Sequence, residues 1–257
     1  MNTTPAIEPT DENATLTGKA YLITGGSTGI GFATAELLVR DGARVFLTGR
    51  NRKLLDAAQQ QLGANAIALQ SDASDPEAPG ELVRAVRAHV ERLDGIFINA
   101  GGAVLGSFET TTPRIFDDMF NTNVRGAYFV VQALLPLLGE CSTIVFNSSI
   151  VSRIGLPGTS AYSASKAAVT SLGRTLAVDL APRGIRVNTL SPGPILTPVI
   201  AKIGMSEAEQ KQFADRTLLK RWGRAEEVAR LARFLLSNDS SFIIGEEIAI
   251  DGGLQLT

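Results

Sequence analysis

The chain has 257 residues, enough for one large domain or two small ones. Hydrophobic residues make up 44% and charged residues 19%, a globular balance, and a net charge of −2 gives no global field to draw nucleic acid or an acidic membrane. One cysteine, Cys141, excludes an intrachain disulfide, and one histidine, His89, leaves a Ser–His–Asp hydrolase or a multi-histidine metal centre almost nothing to work with.

Residues 1–15 are polar, with no Lys or Arg and no apolar core. They predict a loose tail rather than a signal peptide. Residues 19–24 read as a buried strand, followed by a glycine-rich turn. Ile30, Ala33, Leu37 and Leu38 then fall at helical spacing over 30–40, and Asp41-Gly42 supplies the stop. A strand over 43–48, a helix over 50–62 ended by Gly63, and a strand over 66–70 follow. The pattern continues with a helix over 76–93, a strand over 95–99, helical sequence from Thr112-Pro113 to about 138, and a strand over 143–148. A long helix over 160–180, a strand over 185–190, a helix over 225–236 and a last strand over 247–250 complete it. The widest irregular stretch is 191–223. No apolar run approaches the roughly 20 residues that span a bilayer: the best, 127–138, contains Gln132 and Pro136. With the lone cysteine, this fits a cytoplasmic protein. The alternation predicts an α/β fold: a single-domain, Rossmann-like, doubly wound parallel sheet of about seven strands over 16–257, with helices on both faces.

Thr24-Gly25-Gly26-Ser27-Thr28-Gly29-Ile30-Gly31 lies between the first strand and the first helix. Glycines let the backbone approach a ligand, and the helix start offers unpaired N–H groups to a pyrophosphate. The motif lacks the GKS/GKT ending of a nucleoside-triphosphate loop. A dinucleotide fold usually places an acid about 20 residues beyond the glycines, on the ribose hydroxyls. Here no Asp or Glu stands between Asp41 and Asp56, whereas Arg50, Arg52 and Lys53 do. A carboxylate repels a 2′-phosphate and a guanidinium holds it, so Arg50 predicts NADP(H) over NAD(H). The alternative is a solvated, cationic helix start.

Tyr162 and Lys166 stand four residues apart on the predicted 160–180 helix, so they share a face. A neighbouring ammonium stabilises a phenolate, and such a pair could move protons without histidine. Taken alone, the spacing arises in many helices.

Together these segments resemble the short-chain dehydrogenase/reductase family, from Leu16 to Gly253. Thr24–Gly31 matches its TGxxxGxG, Asn99-Ala100-Gly101 its NAG, and Tyr162-Ser163-Ala164-Ser165-Lys166 its YxASK. Pro192-Gly193-Pro194-Ile195-Leu196-Thr197 resembles its PGxIxT, and Asp251-Gly252-Gly253 its usual ending. The resemblance implies catalytic roles for Asn123, Ser149, Tyr162 and Lys166. Tyr162 would be the general acid or base, Lys166 would lower its pKa and bond the nicotinamide ribose, Ser149 would hold the substrate oxygen, and Asn123 would support a water relay. It also implies cofactor contacts at Gly25, Ser27, Thr28, Gly29, Ile30, Gly31, Asp72, Ala73, Asn99, Ala100, Gly101, Tyr162, Lys166, Pro192, Gly193, Ile195 and Thr197, and a homotetramer. By sequence alone Ser148 rivals Ser149, Asn123 could bend or cap a helix, and Asp72 could be an ordinary turn residue. The family often has two asparagines before Ala-Gly; here Ile98 replaces the first.

Substrate identity belongs to the loops at 104–108, 150–157 and 195–213. The last is rich in Ile, Leu and Met, which predicts an apolar lid, about 193–223, over a small apolar ketone or secondary alcohol. Trp222 reads as packing and Arg153 as a solvated cation. The expected function is NADP(H)-dependent hydride transfer to or from such a substrate. The alternatives are a catalytically silent dinucleotide-binding sensor or scaffold of the same fold, or a dehydratase or epimerase.

Overall fold

Seven short apolar strands meet in one parallel sheet in the computed structural model, which describes residues 16–198 and 205–257. In chain order the elements begin with β1 (Ala20–Thr24), α1 (Gly29–Arg40), β2 (Arg44–Gly49), α2 (Arg52–Leu62), β3 (Ala66–Gln70), α3 (Ala78–Arg87) and β4 (Gly95–Ile98). They continue with α4 (Pro113–Phe120), α5 (Gly126–Leu134), β5 (Thr143–Asn147), α6 (Ser160–Leu180) and β6 (Arg186–Pro192). The chain then forms β7 (Ile195–Leu196), α7 (Glu207–Arg216), β8 (Gly223–Arg224), α8 (Ala225–Leu236) and β9 (Glu247–Ile250). The sheet order is β3-β2-β1-β4-β5-β6-β9, and β7 pairs with β8 in a separate two-stranded ladder.

The two faces follow the period-2 alternation of the strands. Leu22, Phe46, Ile96, Ile98, Ile144 and Phe146 point to one face, where they pack with residues of α3, α5 and α6. Tyr21, Ile23, Val45, Leu47, Phe97 and Val145 point to the other, under α1, α2 and α8. Burial on both faces explains why β1, β2, β4 and β5 read as nearly continuous apolar runs. The chain winds outward from β1 to β3, then returns to place β4 on the other side of β1. A crevice therefore opens beyond the C-terminal ends of β1 and β4, where the direction of winding switches.

Three segments differ from the sequence expectation. The helix predicted over 76–93 ends at Arg87; the following residues turn so that Leu93 N–H bonds the Leu137 carbonyl (2.8 Å) and leads into β4. The helix predicted from 112 to 138 is interrupted by a π-helical turn over Asn121–Arg125, and Pro136 closes its end in a 3₁₀ turn. The stretch 191–223, read as irregular, carries β7, α7 and β8. The predicted tail over 1–15, and residues 199–204 of the predicted lid, lie outside the described residues. No helix among the described residues is long and apolar enough to cross a membrane.

Candidate active site

The ends of three strands are tied together at the crevice. Thr24, at the end of β1, accepts at Oγ1 from the N–H groups of Asn99 and Ala100, each at 2.9 Å. Asn99 Nδ2 donates back to the Thr24 and Gly25 carbonyls, each at 3.0 Å, and its Oδ1 accepts from Asn147 Nδ2 at 2.8 Å. That lattice fixes the glycine turn against β4 and β5. Gly25 has φ +65°, which favours glycine, and a Cβ on Gly31 would collide with the Gly25 carbonyl. The turn thus brings backbone close to backbone and leaves the α1 N-terminus facing open space.

That space is a cleft of about 720 Å³, within the range of small-molecule sites. Ser27, Thr28, Gly29 and Ile30 line it at the α1 N-terminus, with Gly25 beside them. Arg50, Asp72 and Ala73 line one end, and Asn99, Ala100 and Gly101 the middle. Ser149, Tyr162 and Lys166 lie at the other end, with Pro192, Gly193, Ile195 and Thr197 over the top. Two expected residues stand behind the wall. Gly31 supports the turn, and Asn123 is 2% exposed.

Asn123 sits in the π-turn between α4 and α5. Its Oδ1 accepts from Gly102 N–H (2.8 Å), and its Nδ2 donates to the Gly102 carbonyl and to Ser165 Oγ (3.0 Å each). The side chain therefore clamps the Gly101–Gly102 segment to α6. A Cβ on Gly101 would stand 3.1 Å from Asn123 Oδ1 and 3.3 Å from Lys166 Nζ, so the missing side chain keeps the cleft open there. Asp72 Oδ1 accepts from Ser74 N–H and Oγ, an Asx turn that also lines the cleft.

On α6, Tyr162 and Lys166 share a face, with Lys166 Nζ 5.9 Å from the phenol ring centre. Nζ donates to the Asn147 carbonyl at 2.7 Å. Burial lowers the Lys166 pKa to about 8, because little else compensates the desolvated ammonium. Burial raises the Tyr162 pKa above its ordinary value, with the Ser149 hydroxyl working the other way. This differs from the expectation that the ammonium lowers the phenol. Lys166 points at Asn147 and its own charge is disfavoured, so desolvation wins at Tyr162.

The two serines differ in where they point. Ser148 Oγ donates to the Lys166 carbonyl (2.9 Å) and sits 2.9 Å from Thr170 Oγ1, so it braces α6. Ser149, two residues past the end of β5, caps a 3₁₀ turn over Ile150–Ser152 and faces the phenol. Asn147 was not expected from sequence. Its Oδ1 is buried without a partner, since Asn99 pins the orientation of the amide. The signal missed was its place two residues before Ser149, at the sheet edge of the crevice.

At the Arg50 end only one of three neighbouring cations serves the cleft. Arg52 pairs with Asp56 (2.7 Å) on the α2 surface, and Lys53 does not line the cleft. Arg50 has no carboxylate within 4.0 Å among the described residues. Ser27 Oγ lies 3.5 Å from where a Gly49 Cβ would stand, beside Arg50. At the far end Leu105, Leu156, Met205, Phe213 and Trp222 make an apolar wall. Trp222, expected only to pack, both packs and lines the cleft. Its Nε1 donates to the Gln210 carbonyl (2.8 Å), and its ring lies 5.7 Å from Phe213. Arg153, expected to be solvated, pairs with Glu247 (3.0 Å) instead. Among the described residues no group of three or more His, Cys, Asp or Glu could hold a metal ion.

A family model described as enoyl-(acyl carrier protein) reductase matches residues 25–255. An oxidoreductase of Sarocladium schorii is 42% identical over 241 residues, covering 93% of this chain and 96% of that protein. Cyclopentanol dehydrogenase of Comamonas sp. (strain NCIMB 9872) is 35% identical over 240 residues, covering 91% and 96%. Among solved structures, the Pseudomonas aeruginosa RhlG/NADP active-site complex superposes with TM-score 0.89 at 30% identity, covering 95% of this chain and 99% of that one. A short-chain-type dehydrogenase/reductase from Mycobacterium marinum gives TM-score 0.89 at 31% identity, covering 95% and 98%.

Proposed function

The chain belongs to the short-chain dehydrogenase/reductase family, NAD(P)(H)-using oxidoreductases of CH–OH and C=O groups, and from that premise we propose that it is an NADP(H)-dependent reductase of small apolar ketones. The observation that carries the reading is the convergence of Ser149, Tyr162 and Lys166 at one end of a cleft whose other end holds an unpaired arginine. The residues present fit a dinucleotide. The glycine turn is drawn tight because Gly31 has no Cβ to strike the Gly25 carbonyl, the α1 N-terminus it leaves facing the cleft offers free N–H groups, and Arg50 suits a 2′-phosphate. When bound, NADP(H) supplies the hydride.

The chain's own residues then do the following. Ser149 donates a hydrogen bond to the carbonyl oxygen and holds it beside the phenol. Tyr162, kept protonated at neutral pH by burial, gives its proton to the oxygen as negative charge develops there. Lys166, with Nζ 5.9 Å from the phenol ring centre, stabilises the phenolate left behind until solvent returns a proton, and would bond the ribose hydroxyls of the cofactor. Asn123 keeps the Gly101–Gly102 segment and α6 in register. The apolar wall of Leu105, Leu156, Phe213 and Trp222 excludes water and favours an uncharged substrate, and the described part of the lid, with Met205, Phe213 and Trp222, covers that end of the cleft. The single free thiol supports a cytoplasmic setting. Exposed Tyr128 and Phe129 on α5, and exposed Phe242 and Leu256 near the β9 edge, support a homotetramer.

Calorimetry with NADPH and NADH, on wild type and Arg50→Ala, tests the cofactor assignment. The expected result is preferential NADPH binding that Arg50→Ala weakens by about tenfold or more. Equal binding of both dinucleotides overturns the preference. Loss of NADPH absorbance with a panel of alicyclic and charged ketones tests the rest; turnover of charged ketones alone removes the apolar-substrate reading, and binding without any turnover favours the silent sensor.

A further inference from the structure

Glu247, on β9, has a side chain only 9% exposed and does not line the cleft. Its Oε1 accepts from Ser191 Oγ (2.6 Å), Ser152 Oγ (2.9 Å) and Thr170 Oγ1 (3.4 Å). Its Oε2 stands 3.0 Å from Arg153 Nε, and Arg153 Nη2 donates to its main-chain carbonyl at 2.6 Å. Arg153 is the charged group that faces it. Burial pushes the carboxyl pKa up, but the Ser191, Ser152 and Arg153 hydrogen bonds outweigh this and leave it below its ordinary value.

Each hydroxyl on that oxygen is one step from the cleft. Ser152 Oγ also lies 2.7 Å from the Ser149 carbonyl, so its single proton bridges the carboxylate and the turn that carries Ser149. Thr170 Oγ1 is 2.9 Å from Ser148 Oγ, which donates to the Lys166 carbonyl. Ser191 precedes Pro192 in the segment over the cleft. A structural ion pair accounts for Arg153 against Glu247. It does not require hydroxyls from a turn, from α6 and from β6 to converge on the oxygen facing away from that arginine.

We propose that Glu247 is a positioning residue for the reduction: through Ser152 and Thr170 it locks the Ser149 turn to α6 and so sets how Ser149, Tyr162 and Lys166 meet. This rests on the proposed role of those three residues. Ser152→Ala cuts only the branch to Ser149 and leaves the Glu247–Arg153 pair intact, so it remains informative if Glu247→Gln folds poorly.

Two readouts test it. The first needs no substrate: the ionisation midpoint of the Tyr162 phenol, from ultraviolet difference spectra against Tyr162→Phe in each background. The Ser149 hydroxyl works to lower that midpoint, and Lys166 is the charged group beside the ring. A loosened Ser149 raises it, by about half a pH unit in Glu247→Gln and in Ser152→Ala. The second is cyclohexanone reduction by the NADPH-loaded protein, where kcat falls about tenfold while KM for NADPH and Tm hold. An unmoved midpoint with wild-type kcat in both variants overturns the proposal. So does a kcat loss that follows only the loss of folded protein. A shifted midpoint in a protein that reduces no ketone supports the positioning role and removes the reductase reading. Ketone turnover in wild type with both readouts unmoved does the reverse.

Discussion

Burial acts in opposite senses on the two titrating side chains of the cleft: it keeps Tyr162 protonated and Lys166 inclined to lose its proton. The proposed reduction uses the protonated phenol, so kcat/KM for ketone reduction should hold through neutral pH and fall as pH rises through the Tyr162 pKa. Tyr162→Phe should lose about a thousandfold in kcat with NADPH affinity retained, as read by steady-state rates and fluorescence titration. Lys166 carries a stability consequence. Its folded pKa of about 8 lies below the ordinary lysine value of about 10.4, so between them the unfolded chain binds a proton the folded chain does not. Stability attributable to this group therefore rises across that window, and the penalty is full below it. Lys166→Met should be more stable than wild type by about 1–3 kcal/mol at pH 7, the difference fading above pH 10, as chemical melts at both values would show. The Tyr162–Lys166 pair was legible because both residues lie on one helix. Ser149 is set apart from Ser148 only by its place in the family pattern; composition and periodicity do not separate two adjacent serines just past the end of β5, and their different partners appear only in the structure. Glu247 was invisible because its partners Ser152, Thr170 and Ser191 are remote in the chain.

The elements that sequence located best are those with sharp ends. Helix α6 runs over Ser160–Leu180 and α8 over Ala225–Leu236, as their apolar spacing predicts. The break between α4 and α5 escaped because Asn121–Arg125 contains neither Pro nor Gly. Only the Asn123 bonds to Gly102 and Ser165 show why one extra residue per turn is accommodated there. Asn123→Ala removes all three bonds in a buried position and should cost about 2 kcal/mol and weaken NADPH binding, read by thermal melts and titration. Wild-type affinity in that variant would show that the Gly101–Gly102 segment holds its place unaided. Helix α7 was missed because it has no apolar face; Ser206 and Glu209 form a capping box that marks its start, a signal present in the sequence but set among Ile, Pro and Met residues that read as loop.

At the scale of the molecule, the fold class followed from strand–helix alternation alone, because continuous apolar strands have to be covered on both faces. Exposed apolar side chains belong to the same scale. Phe242 is fully exposed beside the sheet's terminal strand, and Ile244 follows it at 43%. Phe242→Asp should shift the protein to smaller species in sedimentation velocity with the Tm of the dissociated subunit unchanged; an unaltered profile would exclude this surface from self-association. Because every strand of the large sheet points the same way, all the chemistry gathers at one edge and the opposite edge is left as bare scaffold. Cys141 lies on that opposite edge, exposed, in a turn just before β5, and no other residue of the chain carries a thiol. A dye or a surface tether attached there is a single-site label by construction, mounted at the edge away from the cleft, so ligand binding can be followed without the reporter intruding on it.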